Sequence, residues 1–224
     1  MPASADIRLI AFDVDGTLVD DTVYIWETLH THFGCDRDAR TRAARDFFDG
    51  RISYRQWFEH DIAMLRQRGA TRQAMLQVVG QLRAMPGAHE TLRELRRRGY
   101  KLAVISGSLD LVLQHFFGDL RFEHVLINHF EFDASGALSG GAHTPYDLAR
   151  KADGLAEVAA REGLTPAQCA FVGDNVNDLQ VLQVAGLGVA LRPKRDAVRE
   201  AADAVIEVGD LSLLLPLFPP LAAG

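Results

Sequence analysis

Apolar residues along this chain follow two patterns. One is a short unbroken run closed by a polar cluster or a glycine, at residues 7–12, 101–105, 124–128, 169–173 and 188–191, and more weakly at 204–206. Runs of that length predict strands buried on both faces. The other is helical spacing. Val23, Ile25, Trp26, Leu29 and Phe33 recur at it until Gly34, and residues 36–48 carry Arg and Asp on one side with Ala43, Phe47 and Phe48 on the other. Ser53 opens a helix bearing Trp57, Phe58, Ile62 and Leu65 that stops at Gly69, and Thr71 opens a fourth with Met75, Val78, Val79 and Leu82. No strand-like run interrupts residues 22–84. This stretch predicts four helices with a small core of their own.

After Pro86-Gly87 strands and helices alternate. A helix through Leu92 and Leu95 ends at Gly99, and others are expected at 109–117, 147–162 and 177–185. Ser106-Gly107-Ser108 is expected to stop the second strand. Residues 130–138 alternate around Gly136 and predict a hairpin at the sheet edge. The alternation implies an α/β fold whose parallel strands are joined by right-handed crossovers. The expected division is a core of residues 1–20 and 86–224 and an all-helical insert, 21–85, after the first strand. The tail, 216–224, is rich in Pro and Ala and carries no catalytic signal.

Composition narrows the class. The chain has 224 residues, 48% of them hydrophobic, enough for one large domain or a core with an insert. Its net charge of -6 gives no reason to expect nucleic acid or an anionic membrane as partner. Arg96-Arg97-Arg98 has acids nearby and reads as a solvated helix face. Two cysteines, Cys35 and Cys169, lie far apart, and Cys169 opens an apolar run, so both are expected free, as in a reducing cytoplasm. Residues 1–6 lack a basic and apolar targeting pattern. No apolar run reaches the roughly 18 residues of a membrane span. Nothing in the sequence specifies an oligomeric state.

The candidate chemistry sits where the runs end. The first run meets Asp13-Val14-Asp15-Gly16-Thr17. In open parallel sheets the ligand crevice lies beyond the carboxyl ends of the strands. Two carboxylates placed there repel each other and favour a cation between them, most simply Mg2+ with its preference for oxygen ligands. Ser106-Gly107 follows the second strand, where a hydroxyl and free N–H groups at a helix start suit a phosphate oxygen. Lys151 lies in the helix that begins near Asp147. Gly173-Asp174-Asn175-Val176-Asn177-Asp178 follows the fourth strand. Each cluster alone reads equally as an Asx turn, an N-cap or a solvated lysine. Their common placement at one end of one sheet favours a site.

In this order and spacing the clusters resemble the haloacid dehalogenase (HAD) superfamily, and within it the phosphoserine phosphatase branch. The resemblance rests on Asp13-Val14-Asp15-Gly16-Thr17, Ser106-Gly107, Lys151, and Gly173-Asp174 with Asn177-Asp178. It implies a Rossmann-like core with a helical cap and a Mg2+-dependent phosphatase acting on a small phosphorylated metabolite. Asp13 would be the nucleophile that forms an aspartyl-phosphate, and Asp15 the acid and then base. Asp13, the Asp15 carbonyl and Asp174 would hold Mg2+. Ser106, Gly107, Lys151 and Asn177 would bind the phosphate, with Lys151 also catalytic, and Asp178 would orient Lys151 or a metal-bound water.

The resemblance departs from its pattern in the insert. The branch uses an acidic residue and an Arg to hold the amino-acid part of its substrate, and here those places carry Thr22 and Asp61. Substrate candidates in the insert are therefore Thr22, Phe48, Arg51, Tyr54, Arg55 and Asp61, with the aromatic ones, Phe48 above all, expected to pack inside the insert. Phosphoserine is not expected to be strongly preferred. Other readings within the superfamily are a phosphosugar mutase and a metal-independent haloacid dehalogenase. A non-catalytic phospholigand-binding protein is the reading from another class.

Overall fold

A computed structural model describes residues 6–222. Residues 1–5 of the expected core segment and 223–224 of the tail lie outside the described residues. The chain runs β1 (Leu9–Phe12), β2 (Val19–Asp20), α1 (Ile25–His32), α2 (Arg37–Phe48), α3 (Tyr54–Gln67), α4 (Arg72–Val79), β3 (Arg83–Ala84), α5 (Ala88–Arg97), β4 (Lys101–Leu109) and α6 (Asp110–Phe117). It continues through β5 (His124–Phe132), β6 (Leu138–Ala142), α7 (Lys151–Arg161), β7 (Cys169–Gly173), α8 (Leu179–Val184), β8 (Leu187–Leu191), α9 (Asp196–Ala201) and β9 (Ala204–Ile206).

Seven strands form one sheet in the order β6-β5-β4-β1-β7-β8-β9. All neighbours are parallel except β5 and β6, the edge hairpin. β1 is central, with Phe12 level with Val104 of β4 and Val172 of β7. Alternate side chains of a strand face opposite ways. Ile10 and Phe12 therefore enter one core with Leu92 and Leu95 of α5, while Leu9 and Ala11 enter another with Leu155 and Val158 of α7 and Val181 of α8.

The helices between β2 and β3 start as the capping residues predict. The Ser53 side chain accepts from Gln56 N and Thr71 accepts from Ala74 N, each satisfying an orphan N–H of the first turn. Their core is not separate, however. Ile25, Leu29, Ile62, Leu65 and Met75 join the same buried cluster as Val104, Val112 and Phe130. A stretch of this length has too little interior to bury four amphipathic faces alone, and the sheet edge and α6 supply the rest. Two backbone connections fix the insert. β2 and β3 pair antiparallel at its root, and its far end bonds to the edge hairpin through Arg72 N–Gly136 O and Leu138 N–Ala70 O, both 2.9 Å.

Three local expectations shift. β4 does not stop at Ser106 but continues to Leu109, with an irregular register against β5. The helix after it starts at Asp110, so Ser106 caps no helix. The expected helix from Asp147 opens as a 3-10 turn, Leu148–Arg150, and Lys151 is the first residue of α7. Residues 176–178 likewise form a 3-10 turn before α8. No helix among the described residues is long and apolar enough to cross a membrane.

Candidate active site

Asp13 and Asp15 leave the carboxyl end of β1, where the backbone turns sharply: the Val14 carbonyl accepts from Thr17, Leu18 and Val19. Gly16 takes φ +82 within that turn, and a Cβ on it would stand 2.1 Å from Asp174 Oδ2. Only glycine lets the first and fourth clusters meet this closely.

Lys151 enters from beneath. Its ammonium lies 2.9 Å from Asp13 Oδ1 and 2.7 Å from Asp178 Oδ1, and the side chains of Lys151 and Asp178 are wholly buried. Burial alone disfavours the charge, but Asp13, Asp178 and Asp147 outweigh it and raise the Lys151 pKa, so it stays protonated. Asp178 uses its second oxygen to accept from Asp174 N at 3.0 Å and Asn175 N at 3.1 Å. Both its oxygens are thus occupied in holding Lys151 and the loop.

Asp15 is set apart from Asp13. Its Oδ2 accepts from Ile25 N, at the start of α1, and its Oδ1 from the Ser108 hydroxyl, both at 2.7 Å. Burial raises its pKa to about 6, more than these two bonds lower it. A carboxyl poised near neutrality can give and take a proton at modest cost.

Asp174 is the least satisfied group. Burial and then Asp13 raise its pKa to about 7, and Lys194 partly offsets them. Lys194 Nζ pairs with Asp174 Oδ2 at 2.5 Å, and Asp174 Oδ1 is left buried without a hydrogen-bond partner. Oxygens of Asp13, Asp174 and Asp178 lie within 4.8 Å of one another. A buried, oxygen-only, acidic set with an orphaned carboxylate oxygen suits a hard metal cation.

The Ser106-Gly107 loop is pinned from three sides. Trp26 Nε1 and Asn128 Nδ2 donate to Gly107 O at 2.9 and 2.7 Å, and the Ser106 hydroxyl accepts from Ser108 N at 3.0 Å. A Cβ on Gly107 would lie 2.2 Å from the Asp147 carboxylate, so any other residue here would have to displace that side chain. Asp147 Oδ2 in turn accepts from the Tyr54 hydroxyl of α3 at 2.8 Å. Above these groups lies a cavity of about 440 Å³.

Of the expected residues, Asp13, Asp15, Ser106, Gly107, Asp174 and Asn177 line this cavity, with Lys151 and Asp178 buried under it. Among the insert candidates, Tyr54, Asp61 and Phe48 line it. Phe48 does not pack inside the insert: it is 69% exposed at the cavity mouth. Thr22, Arg51 and Arg55 stay away. Thr22 is buried against the Thr28 hydroxyl, Arg51 pairs with Asp46 and Asp49, and Arg55 pairs with Glu59 one helical turn on. The arginines that line the cavity are Arg37 and Arg40. Together with Thr41, Ala44 and Phe48 they form a stripe at helical spacing along α2, a signal present in the sequence. Lys194, Asp147, Asn128 and Ser108 had no comparable signal.

The family model for haloacid dehalogenase-like hydrolases matches residues 7–186. The chain is 36% identical over 200 residues to the phosphoserine phosphatase SerB2 of Mycobacterium tuberculosis, covering 88% of this chain and 47% of that protein. It is 32% identical over 225 residues to a phosphoserine phosphatase of Albidiferax ferrireducens, covering 96% and 91%. The chain spans about half the length of the first relatives it matches. A solved phospho-aspartyl intermediate analogue of phosphoserine phosphatase superposes with a TM-score of 0.73 at 25% identity, covering 94% of this chain and 98% of that one. With the model spanning most of its length, the chain belongs to the haloacid dehalogenase-like hydrolase family.

Proposed function

We propose that this chain is a phosphomonoesterase that works through an aspartyl-phosphate on Asp13 and requires Mg2+. The carrying observation is the division of labour between two carboxylates on one turn. Lys151 pairs with Asp13 at 2.9 Å and fixes its carboxylate in place, while burial raises the Asp15 pKa to about 6. One is suited to attack and the other to proton transfer.

In the first step an Asp13 carboxylate oxygen bonds to phosphorus as the ester oxygen leaves. Asp15 gives that oxygen its proton, and the alcohol departs neutral. In the second step Asp15 takes a proton from water, whose oxygen attacks phosphorus, and Asp13 is regenerated with release of phosphate. Lys151, the Ser106 hydroxyl, the Gly107 N–H and the Asn177 side chain offset charge on the transferring group. Asp13, Asp174 and the Asp15 carbonyl would hold Mg2+, which when bound shields Asp13 from the anionic substrate and stabilises phosphoryl charge. Asp178 positions Lys151 and the Asp174 loop.

We assign the helices between residues 21 and 85 the role of a cap that excludes water from this chemistry. The names of the relatives support phosphoserine chemistry as the branch from which this site derives. The test is phosphate release from p-nitrophenyl phosphate by the purified chain with Mg2+, with EDTA, and after Asp13→Asn. Loss in the last two supports the reading. Halide release from a haloacid in EDTA, or Asp13→Asn activity equal to wild type, overturns it.

A further inference from the structure

The cavity above the expected phosphate site has a wall that the proposed chemistry does not use. Trp26, Trp57 and Phe58 form its inner side, with Trp26 edge-on to Phe58 at 5.5 Å. Trp26 also donates to Gly107 O, which sets this wall directly against the phosphate loop. At the mouth stand Val23, Tyr24 and Phe48, at 50%, 41% and 69% exposure. Among the described residues nine large apolar side chains are exposed, and the two aromatic ones are both here. Aromatic surface left exposed around a concave site marks a place where apolar ligand surface is buried.

The charges on the same cavity are poorly placed for an amino-acid head group. Arg40 is paired with the buried Asp61 at 3.3 Å. Glu27 and Arg37 line the cavity but are exposed, where water screens them. A buried ammonium or carboxylate beside the aromatic wall would lose its hydration without a partner of its own.

We infer that the preferred substrate is the phosphomonoester of a flat, apolar alcohol, an aralkyl or aryl phosphate, whose ring lies along this wall. This rests on the phosphomonoesterase reading and names its substrate class. Leaving groups of similar basicity keep intrinsic reactivity from deciding the comparison. Phenethyl phosphate is therefore set against ethyl phosphate and phosphoserine.

Phenethyl phosphate is expected to exceed both in kcat/KM by tenfold or more, the scale on which apolar pockets discriminate. Phe48→Ala, at an exposed position with little to lose in folding, is expected to narrow the phenethyl-to-ethyl ratio at least threefold. A binding readout independent of turnover is available because both tryptophans of the chain, Trp26 and Trp57, line the cavity. 2-Phenylethanol, which carries no phosphate, is expected to change their fluorescence saturably and to do so more weakly in Phe48→Ala. A phosphoserine preference, equal turnover of phenethyl and ethyl phosphate, or an unchanged ratio in Phe48→Ala overturns the inference and leaves the phosphatase reading standing. Saturable fluorescence with no turnover of any ester overturns the phosphatase reading and with it the assignment of the ring as a leaving group.

Discussion

The Lys151 ammonium lies 2.9 Å from Asp13 Oδ1, and the two side chains are almost entirely shut off from water. Asp178 closes the chain on the other side at 2.7 Å. Removing one partner from such a set leaves buried charge uncompensated, at a typical cost of about 3–5 kcal/mol. Lys151→Met is therefore expected to lower stability by about that amount. It should also lower kcat by roughly 100- to 1000-fold, the usual result of removing one preorganised charge donor. Urea unfolding and steady-state phosphate release measure the two. A variant with wild-type stability would contradict the buried-network account.

Asp15 differs from Asp13 in its partners and so in its expected phenotype. Asp13→Asn should abolish turnover of every ester, because an amide is a poor nucleophile. Asp15→Asn should impair alkyl phosphates by about 100- to 10,000-fold, the usual range for general acid catalysis. It should affect p-nitrophenyl phosphate less, since that leaving group needs little protonation. Equal losses on both substrates would argue against Asp15 as the proton donor.

Asp174 predicts a metal requirement. One of its buried oxygens has no hydrogen-bond partner, and a carboxylate oxygen of Asp174 sits within 4.8 Å of one of Asp13. EDTA should abolish activity and Mg2+ restore it. Ca2+ should inhibit, because its larger and more flexible shell can engage Asp13 differently. Full activity in chelator would remove this assignment.

Asp20 ties the root of the insert to the core. Arg192 Nη2 and Nη1 donate to its carboxylate at 2.5 and 3.3 Å, and the Arg192 hydrogen bond holds its pKa below the usual aspartate range. A carboxylate with a depressed folded pKa stabilises the fold above its unfolded pKa of about 3.9. That contribution is lost as pH falls through the lower folded value. Asp20→Asn is expected to destabilise by about 0.2–1 kcal/mol at pH 7, the scale of a partly exposed pair. The difference should shrink as pH falls from 7 through the acid range. Thermal melts of both proteins across that range check the sign.

Tyr54 links the insert to the phosphate loop. Its hydroxyl donates to Asp147 at 2.8 Å, and burial raises the Asp147 pKa by more than its partners lower it. Tyr54→Phe removes one donor from a buried carboxylate, a loss of about 1–3 kcal/mol. Stability should fall by that amount, and KM should rise as the insert seats less tightly. An unchanged KM would confine Tyr54 to a packing role.

Local pattern carried much of this molecule. Each of the six parallel strands of the main sheet is marked by an apolar run closed by polar residues, because a run of that kind needs cover from the chain around it. Ser53 and Thr71 mark helix starts because a cap bonds within its own first turn. The placement of Asp13, Asp15 and Asp174 at one end of the sheet follows from parallel topology, which alternation implies. Even the α2 stripe of Arg37, Arg40 and Phe48 is written at helical spacing. Periodicity records that a face is covered or open, however, not what stands opposite it. Only the tertiary structure turned that stripe toward the cavity, merged the insert's apolar faces with the sheet core and left Thr22, Arg51 and Arg55 off the cavity wall. It also brought Lys194 to Asp174 and Tyr54 to Asp147. These pairs are far apart in sequence and leave no local trace, because their energies arise from burial and charge that exist only once the chain has folded.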